Sequence, residues 1–168
     1  YQHSRPLYSC KIDGSGNYLL AGAQGSNFNR WDIVSAANTQ LAGHQSWVRR
    51  FDLHGSSSLM ITGAYEGKIA WWDLTSAQPK PQHLITAHKG YVRGVSVSPD
   101  GKLVATAGND RLIKIWSVQT AKLIQTLEGH EHHIYNVKFH PSGRYLLSGD
   151  LRGNLKQWDT KTWTAKRK

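Results

Sequence analysis

Trp followed by Asp, or once by Ser, recurs at Trp31-Asp32, Trp72-Asp73, Trp116-Ser117 and Trp158-Asp159. The near-even spacing matches a repeat period of roughly 40–45 residues. This period restricts the fold more than any other property of the chain. A unit of about 40 residues cannot bury its own apolar face and must stack on copies of itself. A second marker sits inside the unit. A small residue followed by His occurs at Gly43-His44, Ala87-His88 and Gly129-His130, and the Trp is in each case the twenty-eighth residue after its His. The gap from each Trp to the next His varies, being shortest from Trp31 to His44 and longest from Trp72 to His88. A constant inner gap with a variable outer one describes a rigid unit joined by loops of adjustable length.

The unit reads as strands. After His88, Tyr91 to Val97 carries Val at alternate positions, and Ser98-Pro99-Asp100-Gly101 has turn chemistry. Leu103 to Ala107, Leu112 to Trp116 and Lys122 to Leu127 follow, with Gly108-Asn109-Asp110 turning between the first two. Period-two alternation and β-branched residues between turns predict a four-stranded antiparallel meander. Units are expected at residues 7–43, 48–88, 91–130 and 134–168, in one segment spanning 1–168, the last strand running from Thr162 to Lys168.

These residues resemble the WD40-repeat (WD-repeat) family. The resemblance implies an all-β chain of β-propeller blades: four WD40 repeats of four-stranded antiparallel sheets around a central channel. Four blades are fewer than the seven or eight usual in the family. The chain is therefore expected to be part of a seven- or eight-bladed propeller, or half of a dimeric ring completed by self-association. It opens on Tyr1 rather than Met, which fits a piece of a longer chain. In the family, the His, a Ser or Thr, an Asp and the Trp of each unit form a buried hydrogen-bonded chain that lets polar groups satisfy one another. The resemblance assigns this structural network to His88, Thr106, Asp110 and Trp116, and to His44, Thr62, Glu66 and Trp72. In the fourth unit it takes His130, Ser148 and Trp158. Arg152 stands there at the acid position, so the network is incomplete or Asp150 substitutes. In the first unit Ala21 and Gly25 replace the hydroxyl and the acid.

Ser/Thr, His and an acid suggest a nucleophilic triad, but a nucleophile is singular and open to substrate. A constellation that repeats with the architecture belongs to the architecture, so no catalytic residues are assigned and the chain is read as not an enzyme. His130-Glu131-His132-His133 is too poor in fixed-spacing ligands for a zinc site, and no metal or cofactor is expected. No apolar stretch approaches the roughly 20 residues of a membrane-spanning helix, and no membrane partner is expected. The single cysteine, Cys10, excludes an internal disulfide and favours a reducing, intracellular setting, read as cytoplasmic.

The loops that enter each first strand, and those between second and third strands, share one face in this family. There Trp47, Arg49, Tyr91, Arg93, His133 and Tyr135 give an aromatic and arginine theme, with Tyr65, Asn109, Arg111 and Arg152 in the companion turns. Aromatics and Arg dominate binding hot spots. The function expected is a protein–protein interaction scaffold presenting this face to a protein or peptide partner, acidic or phosphorylated, because Arg fits carboxylate and phosphate. The net charge of +10 lies mostly after residue 84. That asymmetry supports an alternative nucleic-acid-binding reading, disfavoured because most of the seven Trp are claimed by the blades. A second alternative is a non-catalytic accessory domain of a larger enzyme.

Overall fold

The computed structural model describes residues 3–54 and 58–166. Short alternating segments separated by turn residues fold as successive antiparallel hairpins. The first sheet holds β1 (Leu7–Ile12), β2 (Tyr18–Ala23), β3 (Phe28–Asp32) and β4 (Asn38–Leu41). The second holds β5 (Val48–Leu53), β6 (Leu59–Ala64), β7 (Lys68–Asp73) and β8 (Pro81–Thr86). The third holds β9 (Val92–Val97), β10 (Leu103–Gly108), β11 (Ile113–Ser117) and β12 (Leu123–Leu127). In each, strand order follows chain order, so each sheet is a meander and forms one blade.

The fourth sheet has three strands, β13 (Ile134–Phe139), β14 (Tyr145–Asp150) and β15 (Leu155–Asp159). Of the outermost strand expected from Thr162 to Lys168, the described residues show a Trp158–Ala165 bridge and a hydrogen bond from Lys166 N to Gln157 O of 2.8 Å. Residues 160–162 turn and Trp163 adopts φ +57, as residues 33–35 with Ala36 and residues 118–120 with Ala121 do before β4 and β12, so pairing begins at Ala165 rather than at Thr162; Arg167 and Lys168 lie outside the described residues.

The core is three clusters, one between each pair of neighbouring blades. Phe28 and Leu41 of the first blade meet Phe51, Met60 and Trp72 of the second, with Phe28 and Phe51 edge to face at 4.7 Å. The opposite face of the second blade presents Ile61, Ile69 and Trp71 to Val92, Val95 and Trp116 of the third. Ala105, Ile113 and Ile115 then pack on Val137, Leu146 and Trp158 of the fourth. Approach is close: a Cβ on Gly63 would lie 2.5 Å from Val92 Cγ1. The first two blades are also stapled by buried Arg30. Its guanidinium donates to the carbonyls of Leu74, Ser76 and Ala77 at 3.1, 3.0 and 2.6 Å and lies over the Tyr18 ring.

The innermost strands β1, β5, β9 and β13 converge on one carboxylate. Asp52 of β5 is buried and pairs with Lys11 of β1 and, at 2.7 Å, with Lys138 of β13. It also accepts the Val97 amide of β9 at 3.0 Å. Burial pushes the Asp52 carboxyl up, but the two ammonium groups outweigh that and hold it below its ordinary value.

Candidate functional site

Every innermost strand bulges at the same place. The register skips at Tyr8 in β1, Arg49 in β5, Arg93 in β9 and Tyr135 in β13. An extra residue in a strand re-aims its side chain, and here four of them meet across blade boundaries. The Arg49 guanidinium lies 4.3 Å from the Tyr8 ring centre, and that of Arg93 lies 4.2 Å from the ring centre of Tyr135. Both arginines are also anchored in their own blades, Arg49 donating to the Tyr65 hydroxyl and Arg93 to Asn109 Oδ1. Arg50 donates to the Arg93 carbonyl at 2.9 Å. Burial first, then the neighbouring Arg49 and Arg93 charges, lower the pKa of Arg50, while Tyr65 raises it. Positive charge is therefore concentrated here.

Rings surround this cluster. Tyr8, Trp47, Tyr65 and Tyr91 form a continuous stack, with centroid separations of 6.2, 5.4 and 4.0 Å along it. Tyr91 and Tyr135 remain 39% and 40% exposed, so the stack ends in ring surface open to a partner. Asn109, Arg111, His133 and Arg152 lie farther round, lining a cleft between the third and fourth blades. His133 Nδ1 donates to the Asn109 carbonyl. The structure thus brings Trp47, Arg49, Tyr65, Tyr91, Arg93 and Tyr135 into one group and joins it through Asn109 to the cleft holding Arg111, His133 and Arg152.

The buried hydrogen-bonded chains lie behind this surface. Trp72 Nε1 donates to Thr62 Oγ1 at 2.8 Å, Thr62 Oγ1 lies 2.7 Å from His44 Nε2, and His44 Nδ1 lies 2.9 Å from Glu66. Burial depresses the His44 pKa further than Glu66 raises it. The ring is neutral, Nδ1–H donates to Glu66, and the Thr62 hydroxyl donates to Nε2. Trp116, Thr106, His88 and Asp110 repeat the pattern, with His88 Nδ1 at 2.8 Å from Asp110. In the fourth blade Trp158, Ser148 and His130 do so at 2.9 and 2.7 Å, and the acid is Asp150, 3.0 Å from His130 Nδ1. Burial pushes Asp150 up, but hydrogen bonds from Asn154, His130 and the Arg152 amide leave its pKa well below the ordinary value. Each hydroxyl is buried and already bonded on both sides, so none is free to attack a substrate.

Sequence reasoning passed over His3, although Trp31 is the twenty-eighth residue after it, as in the other three units. The requirement for a preceding small residue hid it, since Gln2 stands there; the spacing alone finds it. His3 lies edge-on to Trp31 and, lacking a hydroxyl at Ala21, meets Asn29 Nδ2 at 3.4 Å. Tyr8 is the fifth residue after His3, as Arg49 is the fifth after His44, which makes it the first-blade counterpart of Arg49. Among the described residues no three or more His, Cys, Asp or Glu are grouped to hold a metal, and no helix is long and apolar enough to cross a membrane.

A family model described as "WD domain, G-beta repeat" matches residues 36–73, 79–117 and 121–159. Curated relatives include the nuclear distribution protein nudF of Emericella nidulans, 23% identical, covering 88% of this chain and 38% of its own. The small ribosomal subunit protein RACK1 of Drosophila melanogaster is 27% identical, covering 95% and 63%. The small ribosomal subunit protein RACK1y of Oryza sativa subsp. japonica is 30% identical, covering 70% and 34%. The chain thus spans between about a third and two thirds of the length of these relatives. A chain in the crystal structure of the mitotic checkpoint complex superposes with a TM-score of 0.87 at 22% identity, over 98% of this chain and 51% of that one.

Proposed function

We propose, on the premise that this chain belongs to the WD40-repeat family of β-propeller proteins, that it is a non-catalytic scaffold whose protein partner docks across the channel mouth. One observation carries the reading. The same bulge in all four innermost strands delivers Tyr8, Arg49, Arg93 and Tyr135 to one aromatic and guanidinium surface. Rigid rings and desolvated guanidinium groups are what interface hot spots are built from. The contact set extends from Trp47, Tyr65 and Tyr91 through Asn109 to Arg111, His133 and Arg152. The chain's 21 basic against 11 acidic residues favour an acidic or phosphorylated partner. Relatives named for a small ribosomal subunit favour a role inside an assembly, and with it a cytoplasmic setting. An accessory role in a larger enzyme has no residue in its favour beyond the fold.

The test places a photo-crosslinking amino acid at Tyr91, at Tyr135 and, as control, at Ile124 on outermost strand β12. Illumination in the producing cells should yield a defined protein adduct from the first two positions and none from the third. The Trp47→Ala/Arg93→Ala variant should lose the adduct at Tyr135. Adducts equal at all three positions, or absent from both mouth positions, would refute the reading.

A further inference from the structure

Repetition gives each position of this chain internal references. Counting from the buried histidine, the twenty-second residue is Glu66 in the second blade and Asp110 in the third, but Arg152 in the fourth. The twenty-third is Gly67 in the second blade and Gly153 in the fourth, both at φ +81, but Arg111 in the third, at φ +66. Two arginines therefore stand where the repeat uses an acid and a glycine.

Neither is required by the fold. The place Arg152 vacates is filled by Asp150, which bonds His130 and also accepts the amides of Arg152 and Asn154 at 3.0 Å each. Arg111 holds a left-handed backbone that glycine adopts without cost and a residue with a Cβ does not. Strain kept where a sibling blade avoids it points to use of the side chain.

Both side chains are exposed and line one cleft with Lys89, His132 and His133. The guanidinium groups of Arg111 and Arg152 and the ammonium of Lys89 have no hydrogen-bond or ion-pair partner among the described residues. Arg49 and Arg93 differ, being committed to rings and side-chain oxygens. Two carboxylates line the cleft. Asp110 is already bonded to His88 and to the amides of Lys89 and Leu112, and Glu131 is exposed. His133 donates Nδ1–H to Asn109, which leaves Nε2 for a ligand.

We propose that this cleft binds a phosphorylated serine or threonine of the partner protein. The inference rests on the docking face argued above and deepens it. A phosphate monoester brings close to two negative charges and three acceptor oxygens, which two guanidinium groups and an ammonium satisfy. Tyr135 and Leu151, 40% and 55% exposed, supply apolar surface for the flanking peptide. A nucleic acid fits less well. Trp47 and Tyr65 are each covered by ring neighbours on both sides in the stack and offer no open face to a base.

The test uses the full chain and a fluorescein-labelled Gly-Leu-phosphothreonine-Leu-Gly peptide, with its unphosphorylated twin, inorganic phosphate and a single-stranded oligonucleotide. Anisotropy should show the phosphopeptide binding at least about ten-fold tighter than its twin. Inorganic phosphate should compete with it only weakly. Arg111→Gly and Arg152→Asp, which each restore a repeat residue, should weaken the phosphopeptide about five- to ten-fold and leave the twin unchanged. The melting midpoint of Arg111→Gly should not fall. Equal binding of the twins, inorganic phosphate binding as tightly as the phosphopeptide, tighter binding of the oligonucleotide, or lost affinity only alongside lowered melting in both variants would overturn the proposal. Crosslinks from Tyr91 and Tyr135 that persist after phosphatase treatment would overturn it while leaving the docking face standing. Their absence without phosphatase would remove the docking face instead.

Discussion

At the scale of residues, the buried chains separate two arginine-or-acid substitutions that a sequence treats alike. Asp110→Ala leaves His88 Nδ1 without its buried acceptor, and should cost about 1–3 kcal/mol in denaturant titration. Asp150→Ala should do the same in the fourth blade, whereas Arg152→Ala, which breaks no side-chain hydrogen bond, should leave the midpoint nearly unmoved. The same groups set the response to acid. His44 has a folded pKa below its ordinary 6.5, so the unfolded chain takes up protons first and stability falls as pH drops below that value. Asp52, Asp110 and Asp150 have folded pKa values below the ordinary 3.8, so their contribution is present above that value and lost below it. The melting temperature should be flat above about pH 7, decline through the imidazole range and drop more steeply below 3.8. Asp52→Asn should flatten the lowest part of that curve. Spacing alone made most of these residues legible. Asp150 stayed undecided because the usual acid comes from the turn, whereas Asp150 shares a face of β14 with Ser148 and reaches His130 from two positions earlier.

At the scale of elements, alternation and turn residues announce the strands, but they do not fix where the outermost one begins. Thr162 lies in the turn of residues 160–162, and pairing starts at Ala165, seven residues after Trp158, as Leu123 follows Trp116 and Asn38 follows Trp31. The bulges were not legible either. They are set by pairing with the second strand, although the aromatic-or-arginine residue five places after each histidine marks them in hindsight. Packing between elements gives two further expectations. Gly63→Ala would thrust a methyl within 2.5 Å of Val92 Cγ1, and should cost about 1–3 kcal/mol by thermal unfolding. Arg30→Lys keeps the charge but cannot fork to three carbonyls, and should cost about 1–2 kcal/mol in urea.

For the molecule as a whole, the fourth blade leaves an apolar face uncovered among the described residues. Leu155 is 80% exposed at the register position where Ile69 and Ile113 are fully buried by a following blade. Leu147 beside it is 46% exposed. The 168-residue chain should therefore self-associate in sedimentation velocity, and Leu147→Lys/Leu155→Lys should shift it to monomer. A sedimentation profile unchanged by those substitutions would place the contact elsewhere.

Asp52 gives the whole arc a geometric property. Because one carboxylate touches the inner strands of all four blades, it ties the neighbouring wedges together at the hub. The sector has a fixed radius of curvature. Any blade packed beside this arc must meet that curvature, as a keystone must match the arch already standing.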